Sequence, residues 1–186
     1  MNNGNIPVNS IYPTSGISSI YKFLFLGLLG TFLLAISSKI QVPFWPIPMT
    51  MQTFIVFLIG MMYGWKLATF TMLLYLFEGA IGIPVFAKGG GLTYLTGPTA
   101  GYLYGMTVAA GVIGFYSERG FSKSYLNCIL PLVAGTVIIF IFGVGYLGYI
   151  IGFEKAVTVG LLPFISSELF KIFLAAILVP TIYRIY

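Results

Sequence analysis

The sequence predicts an all-α integral membrane protein of six transmembrane helices, with a Gly/Pro-rich outer loop between the third and fourth. Composition and the apolar runs predict it. Of 186 residues, 59% are hydrophobic and 7% charged, where soluble domains carry roughly 25% charged residues. Apolar runs recur along the whole chain, and about 20 such residues cross a bilayer. That length holds about six spans with short connections and no separate soluble domain.

The same counts exclude several function classes. The net charge of +5 comes from basic residues scattered near helix ends. Such residues set orientation; no cluster exists to track nucleic-acid phosphates. There is no histidine and one cysteine, Cys128, inside an apolar run. Neither a disulfide framework nor a transition-metal site is expected, and Cys128 reads as a small core hydrophobe. The G-x-x-x-x-G-K-[ST] phosphate loop, a nucleophile elbow, a Ser/His/Asp set and internal repeats are all absent from the sequence. The chain reads as a non-enzyme without a cofactor, and any ATP-driven step belongs to another subunit.

Residues 1–19 are polar and carry no Lys or Arg, so no basic leader of a secretory signal is expected. They read as a flexible tail before a single membrane domain at 20–186. The first span is expected at 20–37. Within it Gly27, Thr31 and Ala35 recur every four residues, a flat strip for close helix approach. The strip suits packing within the chain or docking to a separate membrane subunit. Val42-Pro43-Phe44-Trp45-Pro46-Ile47-Pro48 follows. Three prolines in six residues rule out a regular helix interior. Trp45 is either an interface anchor or a ring stacked on a ligand.

The second span is expected at 49–63 and the third at 67–83, joined by a tight turn at Gly64-Trp65-Lys66. Glu78 in the third either snorkels or bonds within the bundle. Residues 84–102 form the longest irregular segment, with five glycines, two prolines and several apolar side chains. A solvated linker would be more polar, so this loop is expected to fold back over the protein with its backbone close to something. The fourth span is expected at 102–116 and the fifth at 126–149. A short turn follows at 152–155, and the sixth span runs over 157–183.

The sixth span contains Ser166-Ser167-Glu168-Leu169-Phe170-Lys171. An acid and a base three apart share one helical face. Each charge at the centre of a span costs about 2.5–3.5 kcal/mol on insertion scales. Glu168 and Lys171 therefore either neutralise each other or await a polar guest. With the N-terminus in the cytoplasm, Lys22, Lys66, Arg119, Lys123 and Arg184 lie inside and Lys39, Lys88 and Lys155 outside, the sign the positive-inside rule requires. The proline segment, the glycine loop and the approach to Glu168 then share the outer side.

Four stretches carry a family resemblance: VPFWPIPMTMQT at Val42 to Thr53, GIPVFA at Gly82 to Ala87, GGGLTYLTGPTAGYLYG at Gly89 to Gly105 and SSELFKIFLAA at Ser166 to Ala176. Together and in this order they resemble the BioY family, the biotin-specific S components of energy-coupling factor (ECF) transporters. The resemblance implies the six-helix S-component fold in a bacterial cell membrane, with both termini cytoplasmic. It implies high-affinity capture of biotin from the outer side, as a transported ligand. It also implies a transmembrane coupling subunit and an ATPase pair as partners.

By position, the family's acid and lysine that help hold biotin correspond to Glu168 and Lys171. Its ligand-reaching glycine loop corresponds to Gly89, Gly90 and Gly91, and its docking strip to Gly27, Thr31 and Ala35. Trp45, Tyr94 and Tyr102 are candidates to cover the apolar ring of the ligand. The chain departs from the pattern with Ser167-Glu168 where Gly-Asp is usual. Gly89 and Leu103 stand where some members have Asn and Arg, which removes an amide and a cation. A related small vitamin or biotin precursor is the alternative ligand, and a small membrane enzyme the alternative class.

Overall fold

The computed structural model describes residues 17–42 and 45–185. Residues 1–16 of the expected tail and Pro43-Phe44 of the proline segment lie outside the described residues. The first helix, α1 (Ile17–Lys39), opens three residues before the expected start of the first span. Two short antiparallel strands follow, β1 (Gln41–Val42) and β2 (Met49–Thr50), with Val42 opposite Met49. The remaining elements are α2 (Gln52–Ala80), α3 (Leu92–Leu95), α4 (Ala100–Glu118), a 3-10 turn at Phe121–Lys123, α5 (Ile129–Ile151), α6 (Phe153–Gly160) and α7 (Phe164–Ile185).

α2 is two arms. Gly64, at φ 74° and ψ 173°, is non-helical, in a region open essentially to glycine alone. The break starts a fresh helix N-terminus at Trp65, whose N–H donates to the Glu118 carboxylate at 3.1 Å. An anion is well placed there against the helix dipole. The arms lie side by side: a Cβ on Gly30 of α1 would meet Ile59 and Tyr63 of one arm and Thr71 of the other. α4 runs alongside both, with Gly114 so close to the break that a Cβ there would come within 2.5 Å of Gly64 C and Trp65 N.

Counting α2 as two arms, the six expected segments each find a helix or an arm. Among the described residues four helices, α1, α2, α5 and α7, are long and apolar enough to cross a membrane. The sixth expected span is corrected. Residues 157–183 are not one helix, because a turn at 161–163 ending in Pro163 separates α6 from α7. Proline ahead of a helix start limits continuation from the preceding turn. The expected turn at 152–155 shrinks to Gly152, at φ 89°, with α6 starting at the next residue.

Outward faces carry large apolar side chains such as Phe25, Phe32, Phe77, Leu169 and Phe173, as a lipid-facing surface requires. α7 buries Phe164, Glu168, Lys171, Ile172, Ala175, Ala176, Val179 and Pro180, spaced at three and four as one helical face. The two ends of the bundle differ. At one end Met61 O accepts from Ser117 Oγ and from Tyr183 Oη (3.0 Å), tying α2, α4 and α7 together. The other end is closed by the β1–β2 hairpin and the loop after α2, and it contains the cavity.

That loop is built on glycine. Gly82, Gly89 and Gly91 have φ of 98°, 132° and 102°, which L side chains rarely adopt. Gly90 lies against the Ile83 carbonyl, Phe86 packs on the bare face of Gly79, and Phe86 bridges Gly89 with hydrogen bonds of 2.9 and 3.2 Å. α1 and β1 pin it: Ser38 Oγ donates to Val85 O (2.7 Å), Lys39 Nζ to Phe86 O (2.5 Å) and Gln41 Nε2 to Ala87 O (3.4 Å). The expectation that this loop folds back with its backbone in close contact therefore matches, and the contact is with the chain itself.

Candidate functional site

The cavity lies between the first turn of α2, the loop after α2, the first half of α4, the middle of α5 and the start of α7. Together with the open solvent at its mouth, the free space amounts to about 590 Å³. Most of its wall is apolar or aromatic: Ile47, Phe86, Tyr94, Tyr102, Met106 and Phe164 contribute. Gln52, Thr53 and Glu168 form a polar group within it.

Glu168 and Lys171 are 5% and 3% exposed. One helical turn of α7 aims both at the start of α2, where Thr53 completes a triangle. Lys171 Nζ donates to Glu168 Oε1 at 2.6 Å and to Thr53 Oγ1 at 2.8 Å, and Thr53 Oγ1 donates to Glu168 Oε1 at 2.9 Å. The N-terminal end of α2 adds a positive dipole end beside the carboxylate. The pair thus resolves the cost of its own insertion, but with one carboxylate oxygen only. Glu168 Oε2 is buried and has no hydrogen-bond partner among the described residues; the same holds for Gln52 Nε2. A buried polar group left unpaired costs about 1–3 kcal/mol.

The aromatic wall is fixed from behind. Phe86 stacks on Tyr94 (centroids 4.9 Å, 24°) and meets Tyr75 edge-on at 5.3 Å. Tyr75 Oη donates to Val85 O at 2.8 Å. Tyr102 Oη donates to Gly160 O at 2.8 Å, and its ring packs against Gly143 and, at 6.4 Å, Phe164. Burial raises the Tyr94 phenol above its ordinary range, with hydrogen bonds from Thr99 and the Lys88 backbone acting against that. It stays neutral, a flat apolar face.

Of the residues expected at a ligand, Glu168, Tyr94 and Tyr102 line the cavity, and Lys171 stands directly behind Glu168. Gly89, Gly90 and Gly91 do not line it; they shape the turn that carries Phe86 and Tyr94 to the wall. Trp45 is corrected: it is 81% exposed, and Ile47 and Pro48 supply that segment's share of the wall.

The strip on α1 fits the within-chain packing of its two readings. A Cβ on Gly27 would lie 2.9 Å from the Phe70 ring, and Thr31, 3% exposed, donates to Glu78 Oε1 at 3.0 Å. Ala35 packs partly buried against the core. This face of α1 is taken by the chain's own α2, and Glu78 bonds within the bundle. Sequence reasoning missed Gln52, Thr53, Phe86 and Phe164 as wall residues. The available signal for the first two was a pair of polar side chains opening an apolar helix directly after the proline segment.

The fold and the cavity define a class: a multi-pass helical membrane protein whose helices close around a largely apolar cavity with a small buried polar group. The comparisons narrow it. The model of the BioY family matches residues 12–186, and the chain belongs to that family. It is 39% identical over 150 residues to the biotin transporter BioY of Thermotoga maritima, covering 80% of this chain and 88% of that one. It is 36% identical over 147 residues to the probable biotin transporter BioY of Pyrococcus horikoshii, covering 78% and 86%. A crystal structure of the S-component for biotin from an ECF-type ABC transporter shares the fold, with a TM-score of 0.79 over 91% of this chain and 95% of that one, at 21% identity.

Proposed function

We propose that this chain is the biotin-binding membrane subunit of an ATP-driven ECF-type importer, capturing the vitamin from the outer side of a bacterial cell membrane. The observation that carries the reading is the half-satisfied carboxylate of Glu168, the one charged side chain among the described residues lining a largely apolar and aromatic cavity. Biotin matches that wall: an apolar sulfur ring for Tyr94, Tyr102 and Phe86, and a ureido ring with two N–H donors and a carbonyl acceptor for the polar group. Glu168 is the acceptor, Lys171 and Thr53 hold it in place, and the pocket changes no covalent bond. The chain is a transporter subunit rather than an enzyme.

The energy for transport comes from a coupling subunit and an ATPase pair, with the cavity end facing outward and both termini in the cytoplasm. The excess of basic residues at the opposite end supports this orientation. Labelled biotin uptake in a host lacking its own importer tests the reading when the chain is expressed with an ECF module. Uptake should require both the chain and ATP, and excess biotin should compete. Competition by thiamine or riboflavin and not by biotin would replace biotin with another vitamin.

A further inference from the structure

Gln52 and Glu168 are buried side chains on the same cavity wall, 4% and 5% exposed. Each leaves one polar atom without a partner among the described residues, an N–H donor at Gln52 Nε2 and an anionic acceptor at Glu168 Oε2. A donor and an acceptor presented together match a carbonyl flanked by an N–H, the edge shared by cyclic ureas and lactams.

The charge of the wall points the same way. Among the described residues no Lys or Arg side chain lines the cavity. Residues 1–16, 43–44 and 186 include none in sequence. Lys171 is engaged by Glu168 and Thr53, Lys39 donates to the Phe86 carbonyl, and Lys88 is exposed and off the wall. Leu103 adds a buried apolar side chain to that wall. A carboxylate buried without a cation is strongly disfavoured.

We propose that Gln52 is a specificity-determining residue, paired with Glu168 to read the urea edge of the ligand, and that the cavity does not read the charge of the ligand's tail. The ligand enters ring first. Gln52 Nε2 donates to the urea carbonyl, Glu168 Oε2 accepts from a urea N–H, and the carboxylate stays at the mouth in water. This rests on the biotin reading above.

The test is a titration of the purified full chain in lipid nanodiscs with four ligands: biotin, biotin methyl ester, biotinamide and an N-acylated biotin whose ureido N–H is blocked. The two neutral-tail ligands should bind within about fivefold of biotin, because no cation–carboxylate hydrogen bond is there to lose. The N-blocked ligand should lose well over a hundredfold, as sites that hydrogen-bond a ligand group reject its blocked form. Gln52→Met should weaken biotin about tenfold, the size of one neutral hydrogen bond plus its orphaned partner, with no loss of thermal stability in the ligand-free chain. Lys88→Met should leave biotin affinity unchanged.

A neutral-tail loss above fivefold, or a loss with Lys88→Met, would show that a cation reads the tail and overturn the proposal. Full biotin affinity in Gln52→Met would remove Gln52 from it. Failure of the wild-type chain to bind biotin at all would instead overturn the biotin reading on which it rests.

Discussion

At the scale of single residues, the molecule turns on how one carboxylate is divided. Oε1 of Glu168 is held by Lys171 and Thr53, and Oε2 has no hydrogen-bond partner among the described residues. Breaking a buried ion pair by removing one partner costs about 3–5 kcal/mol, because the other charge is left uncompensated. Lys171→Met should therefore lower both thermal stability and biotin affinity. Adding Glu168→Gln should restore most of the stability, since both charges are then gone, yet leave affinity down by at least about tenfold through the lost charged acceptor. Parallel recovery of stability and affinity in the double variant would mean the pair only permits insertion. Of the two readings of Glu168 and Lys171 that the sequence allowed, mutual neutralisation is visible in the geometry on Oε1, while Oε2 has no partner among the described residues. The cost of charge in an apolar helix made that legible. Gln52 and Thr53 were harder to see, because polar residues at the first turn of a span look like any helix end until α7 is packed against them.

At the scale of elements, glycine positions explain most of what the sequence placed correctly and most of what it misassigned. Apolar runs marked the helices well, with ends shifted by a few residues. The triplet Gly89-Gly90-Gly91 signalled a close backbone approach, but sequence cannot say to what. The partners are Ile83 and Gly79 of the same chain, through the Gly90–Ile83 contact and the Gly91 N–H to Gly79 O bond of 2.7 Å. The strip on α1 is the same case: its spacing predicts a close neighbour, and that neighbour is α2, the within-chain packing of the two readings. Trp45 shows that an aromatic beside prolines carries no information about which way it turns.

Two substitutions test these assignments. Gly64→Ala puts a Cβ on a conformation reserved for glycine, worth about 1–3 kcal/mol, and should lower the melting temperature of the purified chain. Gly27→Leu should do so too, by driving into the Phe70 ring at 2.9 Å. A Gly27→Leu chain of unchanged stability that no longer copurifies with a coupling subunit would reinstate the strip as a docking surface.

At the scale of the whole molecule, the two ends carry different chemistry. The opposite end joins helices through Ser117, Ser122, Tyr183 and Met61 O, and its arginines sit over rings, Arg119 on Phe115 at 3.3 Å and Arg184 on Tyr125 at 4.6 Å. Such cation–ring pairs suit a membrane interface. The cavity end is loop-rich and pinned by Ser38, Lys39 and Gln41. If the cavity end faces outward, Lys88→Cys in a Cys128→Ser background should react with an impermeant maleimide on intact cells. Ser124→Cys should react only after permeabilisation. The reverse pattern would invert the topology.

Biotin in this cavity, with Glu168 as its acceptor, ties the three scales together. Isothermal titration of the purified, ligand-free chain with biotin tests it most directly. Saturable binding at one site per chain is expected, with a negative heat-capacity change from apolar burial and at least about tenfold weaker binding for the Lys171→Met/Glu168→Gln double variant, in which both charges are gone. No saturable heat with the folded wild-type chain, or wild-type affinity in the double variant, would overturn that assignment.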